Sequence, residues 1–270
     1  MLRIQGLLLD VEGVLVADKR YQRVAGAPEF VSDMRRRGVP LRLITNNTTD
    51  APSALLAKLH AAGFAFALEE LRTCMTAGVR HLHQVGATRC LVLGSDVLRA
   101  VLTDAGLTCV KDSRVDAVVV GLDTQFTYER LRLACEAILD HQARFVALHR
   151  NRLFPDDQGR RSPSAGPIVA AIGEATRAEP VVVGKPSPEF YGLALAGLDL
   201  PPERVLVVSD DPFSDLVGAR RLGMQAAFVM SGKYTDPGVI REIDPREQPN
   251  VIVAGIADLL TCEAVQFVRP

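Results

Sequence analysis

The chain has 270 residues, 48% of them apolar and 23% charged, with a formal net charge of −1 and no tryptophan. That balance leaves no bulk positive field for nucleic acid or a membrane surface, and no unbroken apolar run approaches the ~20 residues that would span a bilayer. The five cysteines (Cys74, Cys90, Cys109, Cys135 and Cys262) are odd in number and lack CxxC spacing. They argue against a disulfide framework or zinc site and fit reduced thiols in the cytoplasm.

Leu7, Leu8 and Leu9 read as a strand buried on both faces, too short for a signal peptide, which runs into Asp10-Val11-Glu12-Gly13. Pro28–Arg37 has helical spacing through Phe30, Val31 and Met34. Its basic run, Arg35 to Arg37, is a last helical turn meeting the negative dipole end, and Gly38 closes it. Leu41–Ile44 is a second strand and delivers Thr45-Asn46-Asn47-Thr48-Thr49. Pro52–Ala62 and Glu69–Gln84 follow as helices, the latter capped from Thr73 or a neighbour.

Alternation then resumes with strand Arg89–Leu93, helix Asp96–Ala105, strand Ala117–Val120, helix Thr127–Ala143 and strand Phe145–Leu148. A polar loop, His149–Ser164, leads to helix Pro167–Thr176 and strand Val181–Val183. The last section places helix Pro188–Ala196, strand Val205–Val208, helix Asp215–Leu222 and strand Ala226–Met230 before Val251–Val253 and Ile256–Leu260. Strands and helices in this order predict parallel βαβ units. The expected fold class is α/β, a Rossmann-like doubly wound parallel sheet formed by residues 1–85 and 182–270, with a smaller α/β unit inserted at 86–181.

Four groups of polar residues follow apolar strands of the first and third sections. They are Asp10 with Glu12, Thr45 with Asn46, Lys185, and Asp210 with Asp215. Each alone has an ordinary reading as a cap, turn or surface residue. Together they would converge on one edge of a parallel sheet, where such folds bind ligands. Gathered carboxylates repel one another, so a hard divalent cation is implied, and oxygen ligands favour Mg2+. A phosphate approaching it would meet Lys185 and the Thr45 hydroxyl. Asp10 is then placed to attack phosphorus and form an aspartyl-phosphate, which water hydrolyses.

In sequence order, Leu9-Asp10-Val11-Glu12-Gly13, Ile44-Thr45-Asn46-Asn47, Val183-Gly184-Lys185-Pro186-Ser187-Pro188 and Ser209-Asp210-Asp211 with Asp215 resemble the haloacid dehalogenase superfamily. Thr45-Asn46-Asn47, Gly184 to Pro188 and Gly218 to Gly223 are similar to its phosphatases with a large α/β cap. The Ser231-Gly232-Lys233-Tyr234 stretch further resembles members related to phospholysine phosphohistidine inorganic pyrophosphate phosphatase. The resemblance covers essentially the whole chain.

It implies a magnesium-dependent phosphatase for a small phosphorylated molecule, such as a phosphomonoester, a phosphoamino acid or pyrophosphate. Asp10 would be the nucleophile and a metal ligand, residue 12 a ligand through its backbone carbonyl, and Asp210 a further ligand supported by Asp215. Thr45 and Asn46 would hold the phosphoryl group, and Lys185 would bridge it to the nucleophile. The inserted unit would be the cap that selects substrate, and such caps also mediate homodimers.

One residue departs from the pattern. The second acid of the first motif is usually Asp, the group that protonates the leaving group and later activates water, and here it is Glu12. Its extra methylene would move the carboxyl, and displacement on the order of 1 Å can cost ~10²-fold in rate. The alternative is therefore a catalytically impaired protein that binds a phosphorylated ligand or partner. In the expected cap, Arg150 and Arg152 of the segment 149–157 are either solvated or face a second anionic group, and Phe126 and Tyr128 either line the cleft or pack a helix start.

Overall fold

Two parallel sheets organise the chain in a computed structural model that describes residues 1–17, 20–155 and 160–270. The chain divides into a first unit of residues 1–45, 55–72 and 185–270 and a second of residues 46–54 and 73–184. Relative to the boundaries expected at 85/86 and 181/182, the second unit also takes residues 46–54 and helix Cys74–Gln84.

The first unit is built on a six-stranded sheet in the spatial order Val251–Val253, Gln225–Val229, Val205–Ser209, Gly6–Asp10, Leu41–Thr45, Leu71–Thr73. Pairing is parallel from Val251–Val253 across to Leu41–Thr45. Gly6–Asp10 sits near the middle because Leu7, Leu8 and Leu9 are apolar on both faces, and all three are fully buried. Burying each stabilises the fold by about 1.5–3 kcal/mol. Leu7 and Leu9 join a core with Phe30 and Met34 of helix Ala27–Arg36 and with Leu55 and Leu59 of helix Pro52–Ala61. From Gly6–Asp10 the chain steps outward through Leu41–Thr45 to Leu71–Thr73, then resumes on the other side with Val205–Ser209. The strand order therefore reverses between Gly6–Asp10 and Val205–Ser209, the switch point at which open α/β sheets bind ligands beyond the strand ends.

The second unit holds a five-stranded parallel sheet in the order Val181–Val182, Arg144–Ala147, Ala117–Val120, Arg89–Leu93, Thr108–Val110. Leu91, Val118, Val120 and Phe145 pack against Ala134 and Ala137 of helix Tyr128–His141 and Ile168 and Ile172 of helix Ala165–Thr176. The α/β class and Rossmann-like parallel core expected from sequence are thus what folds.

Local departures have physical causes. The predicted helix Glu69–Gln84 is a short turn, Leu68–Glu70, a strand, Leu71–Thr73, and a helix confined to Cys74–Gln84. Leu71 and Thr73 alternate inward as an edge strand, so tertiary pairing overrides local helical preference. Thr73 does cap the helix, its Oγ1 accepting from Thr76 N at 3.1 Å. Helix Asp215–Leu222 starts earlier, as a wide turn over Pro212–Leu216, because Asp211 accepts from Phe213 N and Ser214 N at its head. Within the predicted loop His149–Ser164, Leu153–Pro155 pairs antiparallel with Arg161–Pro163. Leu2–Ile4 and Val265–Phe267 form an unforeseen parallel pair. Among the described residues no disulfide joins the five cysteines. Among the described residues no helix is long and apolar enough to cross a membrane.

Candidate active site

Parallel register assembles the site. Asp10 ends its strand opposite Ile44, so Thr45 lies one step beyond it on the neighbouring strand. Val208 pairs with Leu9, which brings Ser209 alongside Asp10 and places Asp210 one residue beyond the same sheet edge. Asp10, Thr45, Lys185, Ser209, Asp210, Asp211 and Asp215 are all buried. Buried charges at one sheet edge persist only when each meets a partner.

Lys185 is that partner. It is 2% exposed, and its ammonium lies 2.8 Å from Asp10 Oδ1 and 2.7 Å from Asp215 Oδ2. Ser209 Oγ lies 2.6 Å from Asp215 Oδ2 and 3.3 Å from Asp10 Oδ2, and it accepts from Asp211 N at 3.1 Å. Ser214 donates to Asp215 Oδ1 at 3.0 Å. Burial alone would raise Asp215, but the charge of Lys185 and the hydrogen bonds of Lys185 and Ser209 outweigh it and hold the carboxyl below its usual range. Asp10 moves the other way. Burial lifts it well above the ordinary value, Lys185 opposes, and Asp215, Asp210 and Glu12 add to the rise. Lys185 itself is held more firmly protonated, because its two carboxylates overcome the burial that would discharge it.

Across the strand end, Asp210 has a different environment. Its Oδ2 accepts from the backbone amide of Lys233 at 2.5 Å, while the Lys233 ammonium pairs with Asp211 Oδ2 at 2.6 Å. Burial pushes Asp210 up to about 7, against the Lys233 amide, with Asp211 and Asp215 reinforcing the rise. Gly13 and Gly232 flank this carboxylate, and a Cβ at either would collide with it. Gly13 also holds φ at +80°, a conformation that side chains resist. Gly232→Ala should therefore displace Asp210 and cost about 1–3 kcal/mol by overpacking, read as a lower melting temperature together with reduced turnover.

The donor set fits a hard divalent cation. Among the described residues, the buried carboxylates Asp10, Asp210, Asp211 and Asp215 share only Lys185 and Lys233 as close cationic partners, and Asp210 has no ammonium of its own. No group of three His, Cys, Asp or Glu side chains stands ready to ligate among the described residues. A cation here would use the Asp10 and Asp210 side chains, with backbone oxygen and water completing its shell, as magnesium commonly does. Asp215, an expected ligand, has both oxygens engaged by Lys185, Ser209 and Ser214.

Glu12 and Thr45 are joined directly, Thr45 Oγ1 donating to Glu12 Oε2 at 3.0 Å. Asn46 is grouped with the second unit, where its Nδ2 lies 3.4 Å from Asn151 Oδ1. Arg150 pairs with Glu179 at 3.5 Å on the surface, Tyr128 is 81% exposed, and Phe126 packs on the core of the second unit. Asp156 and Asp157 lie outside the described residues. Ser209, Lys233, Gly13 and Gly232 are contributors that strand-end reasoning passed over. Ser209 was signalled by its position directly before Asp210, and Lys233 by a Ser-Gly-Lys-Tyr stretch closing a strand.

The chain is similar to known proteins over most of its length. A haloacid dehalogenase-like hydrolase family profile matches residues 7–108, and a second, HAD-hydrolase-like profile matches 182–259. The chain is 34% identical to chronophin of Mus musculus, over 95% of this chain and 92% of that protein. It is similar to a 4-nitrophenylphosphatase structure from Thermotoga maritima, with TM-score 0.84 and 26% identity over 96% of this chain and 97% of that one. It also resembles a glycerol phosphate phosphatase of Mycobacterium tuberculosis in complex with calcium, with TM-score 0.80 and 28% identity over 94% of this chain and 74% of that one.

Proposed function

Because the chain belongs to the haloacid dehalogenase-like hydrolases, we propose that it is a magnesium-dependent phosphatase for small phosphomonoesters working through an aspartyl-phosphate on Asp10. The observation that carries this reading is the buried Lys185 ammonium bound to Asp10 and Asp215 at the strand switch point, with Asp210 facing it across the strand end.

Asp10 supplies the attacking carboxylate oxygen. Lys185 orients that carboxylate and provides positive charge beside the oxygens of the incoming phosphoryl group. Thr45 and Asn46 hold those oxygens. As the P–O bond to the leaving group breaks and the bond to Asp10 forms, Glu12 gives its proton to the departing alkoxide. Glu12 then takes a proton from water, whose oxygen attacks phosphorus and releases Asp10 and inorganic phosphate. Asp215 and Ser209 keep Lys185 and Asp10 in register throughout. Asp10, Asp210 and the backbone carbonyl of Glu12 would hold a magnesium ion, which would supply charge neutralisation for the phosphoryl oxygens.

The test is a panel of phosphorylated metabolites, phosphoamino acids, pyrophosphate and 4-nitrophenyl phosphate, assayed with and without magnesium. Metal-dependent release of phosphate supports the reading. A folded chain that binds phosphorylated ligands yet turns none of them over would instead support the impaired-binder alternative that Glu12 raises.

Metal binding carries its own pH signature. Asp210 has its pKa raised from 3.8 to about 7, so it favours the protonated native state and the metal-free fold loses that stabilisation as pH rises through this window. A divalent cation must displace the proton, and it competes better where the proton is already lost. Magnesium should therefore raise the melting temperature more at pH 8 than at pH 5, and Asp210→Asn should remove most of that difference.

A further inference from the structure

The longer acid at position 12 comes with a neighbour suited to its length. Glu12 sits in the turn after the Gly6–Asp10 strand, where it forms a bridge with Val16, and Gly13 N donates to Val16 O at 2.7 Å. Thr45 ends the adjacent strand and is 1% exposed. Its β-branched side chain has few χ1 choices, so the hydroxyl is fixed by the strand that carries it. That hydroxyl reaches the glutamate carboxylate at 3.0 Å. An aspartate on the same backbone would draw its carboxyl back by roughly 1.5 Å, one C–C bond, and out of hydrogen-bond range.

We propose that Thr45 is the positioning residue for Glu12, and that glutamate at position 12 is matched to this threonine rather than a weakened aspartate. The proposal rests on the aspartyl-phosphate reading, in which Glu12 is the acid and then the base. A hydroxyl donates one hydrogen bond and accepts two, which lets one threonine serve both stages. While Glu12 is ionised, Thr45 donates to it. Once Glu12 carries the leaving-group proton on its other oxygen, Oε2 still accepts from Thr45, and the carboxyl proton stays available to the leaving group. The carboxyl stays anchored in both states.

The test compares Thr45→Ser, Thr45→Val, Glu12→Asp, Glu12→Gln and the Glu12→Gln/Thr45→Val pair on an alkyl phosphate, glycerol phosphate, and on 4-nitrophenyl phosphate, with magnesium present. Thr45→Ser keeps the hydroxyl but loses the β-branch that fixes it, and its kcat should fall between those of the parent and Thr45→Val. Thr45→Val should lose about tenfold or more in kcat, and more on the alkyl ester, whose poor leaving group depends most on a positioned acid. Glu12→Asp should be slower than the parent. Thr45→Val should slow Glu12→Gln by a smaller factor than it slows the parent, since the part of its effect that acts through Glu12 has nothing left to act on. Multiplicative losses, or a Thr45→Val effect confined to KM and equal on both esters, would overturn the proposal and leave Thr45 as a phosphoryl ligand only. An Asp10→Asn chain with full activity, or a parent chain with none, would overturn the underlying reading as well.

Discussion

Asp10→Asn is expected to fold normally and to lose turnover by on the order of 10⁴-fold or more, because the proposed mechanism transfers the phosphoryl group to Asp10. Its stability should move in the opposite direction to its activity. Asp10 is buried and its pKa is raised, so the native state favours the protonated carboxyl and loses that stabilisation as pH increases. An amide carries no charge at any of these pH values, and Lys185 keeps Asp215 at 2.7 Å. The variant should therefore gain on the parent in melting temperature as pH rises from 5 to 8 when no metal is added. Phosphate release and thermal unfolding at the two pH values check both halves. Retained activity would remove Asp10 from the nucleophile's role.

Lys185→Met should damage both properties. The methionine fills most of the lysine's volume but leaves Asp10 and Asp215 buried without their shared cation. Breaking a buried ion pair from one side costs about 3–5 kcal/mol. The two carboxyls respond by taking up protons. The Asp215 pKa, now held low by Lys185, would rise, so the loss of stability should be smaller at pH 5 than at pH 8. Denaturant unfolding at both pH values measures it. Turnover should fall in parallel, since in the proposed mechanism this ammonium orients the attacking carboxylate. A variant as stable as the parent at pH 8 would mean that Lys185 is not the group that makes this cluster tolerable.

Much of the candidate site was legible because chemistry and position coincide in parallel sheets. An apolar run that stops at a polar residue marks a strand's carboxyl end, and Asp10, Thr45 and Asp210 each follow such a run. What fell outside that rule was harder to see. Lys233 lies beyond a different strand and reaches Asp210 through a backbone amide, which no side-chain pattern reports. Ser209 is a small hydroxyl in an apolar strand, and only the pairing of Val208 with Leu9 reveals that it sits beside Asp10. Residues 69–73 read as helix in the sequence because three residues of edge strand, Leu71–Thr73, are too few for period-two alternation to stand out.

By itself, the sequence determined the α/β class and the alternation of the main strands and helices, and it proposed the residues from Asp10 to Asp215 that a phosphoryl-transfer site would need. Those follow from local pattern: hydrophobic period, caps, and the placing of charge after buried strands. Only the tertiary structure decided how the charges are shared. It put Lys185 between Asp10 and Asp215, left Asp210 without an ammonium, and set Thr45 within reach of Glu12. These relations depend on strand register, which brings together residues far apart in the chain at distances of about 3 Å. At that range inside a low-dielectric core, the choice of partner decides which carboxyl holds a proton and which stays charged.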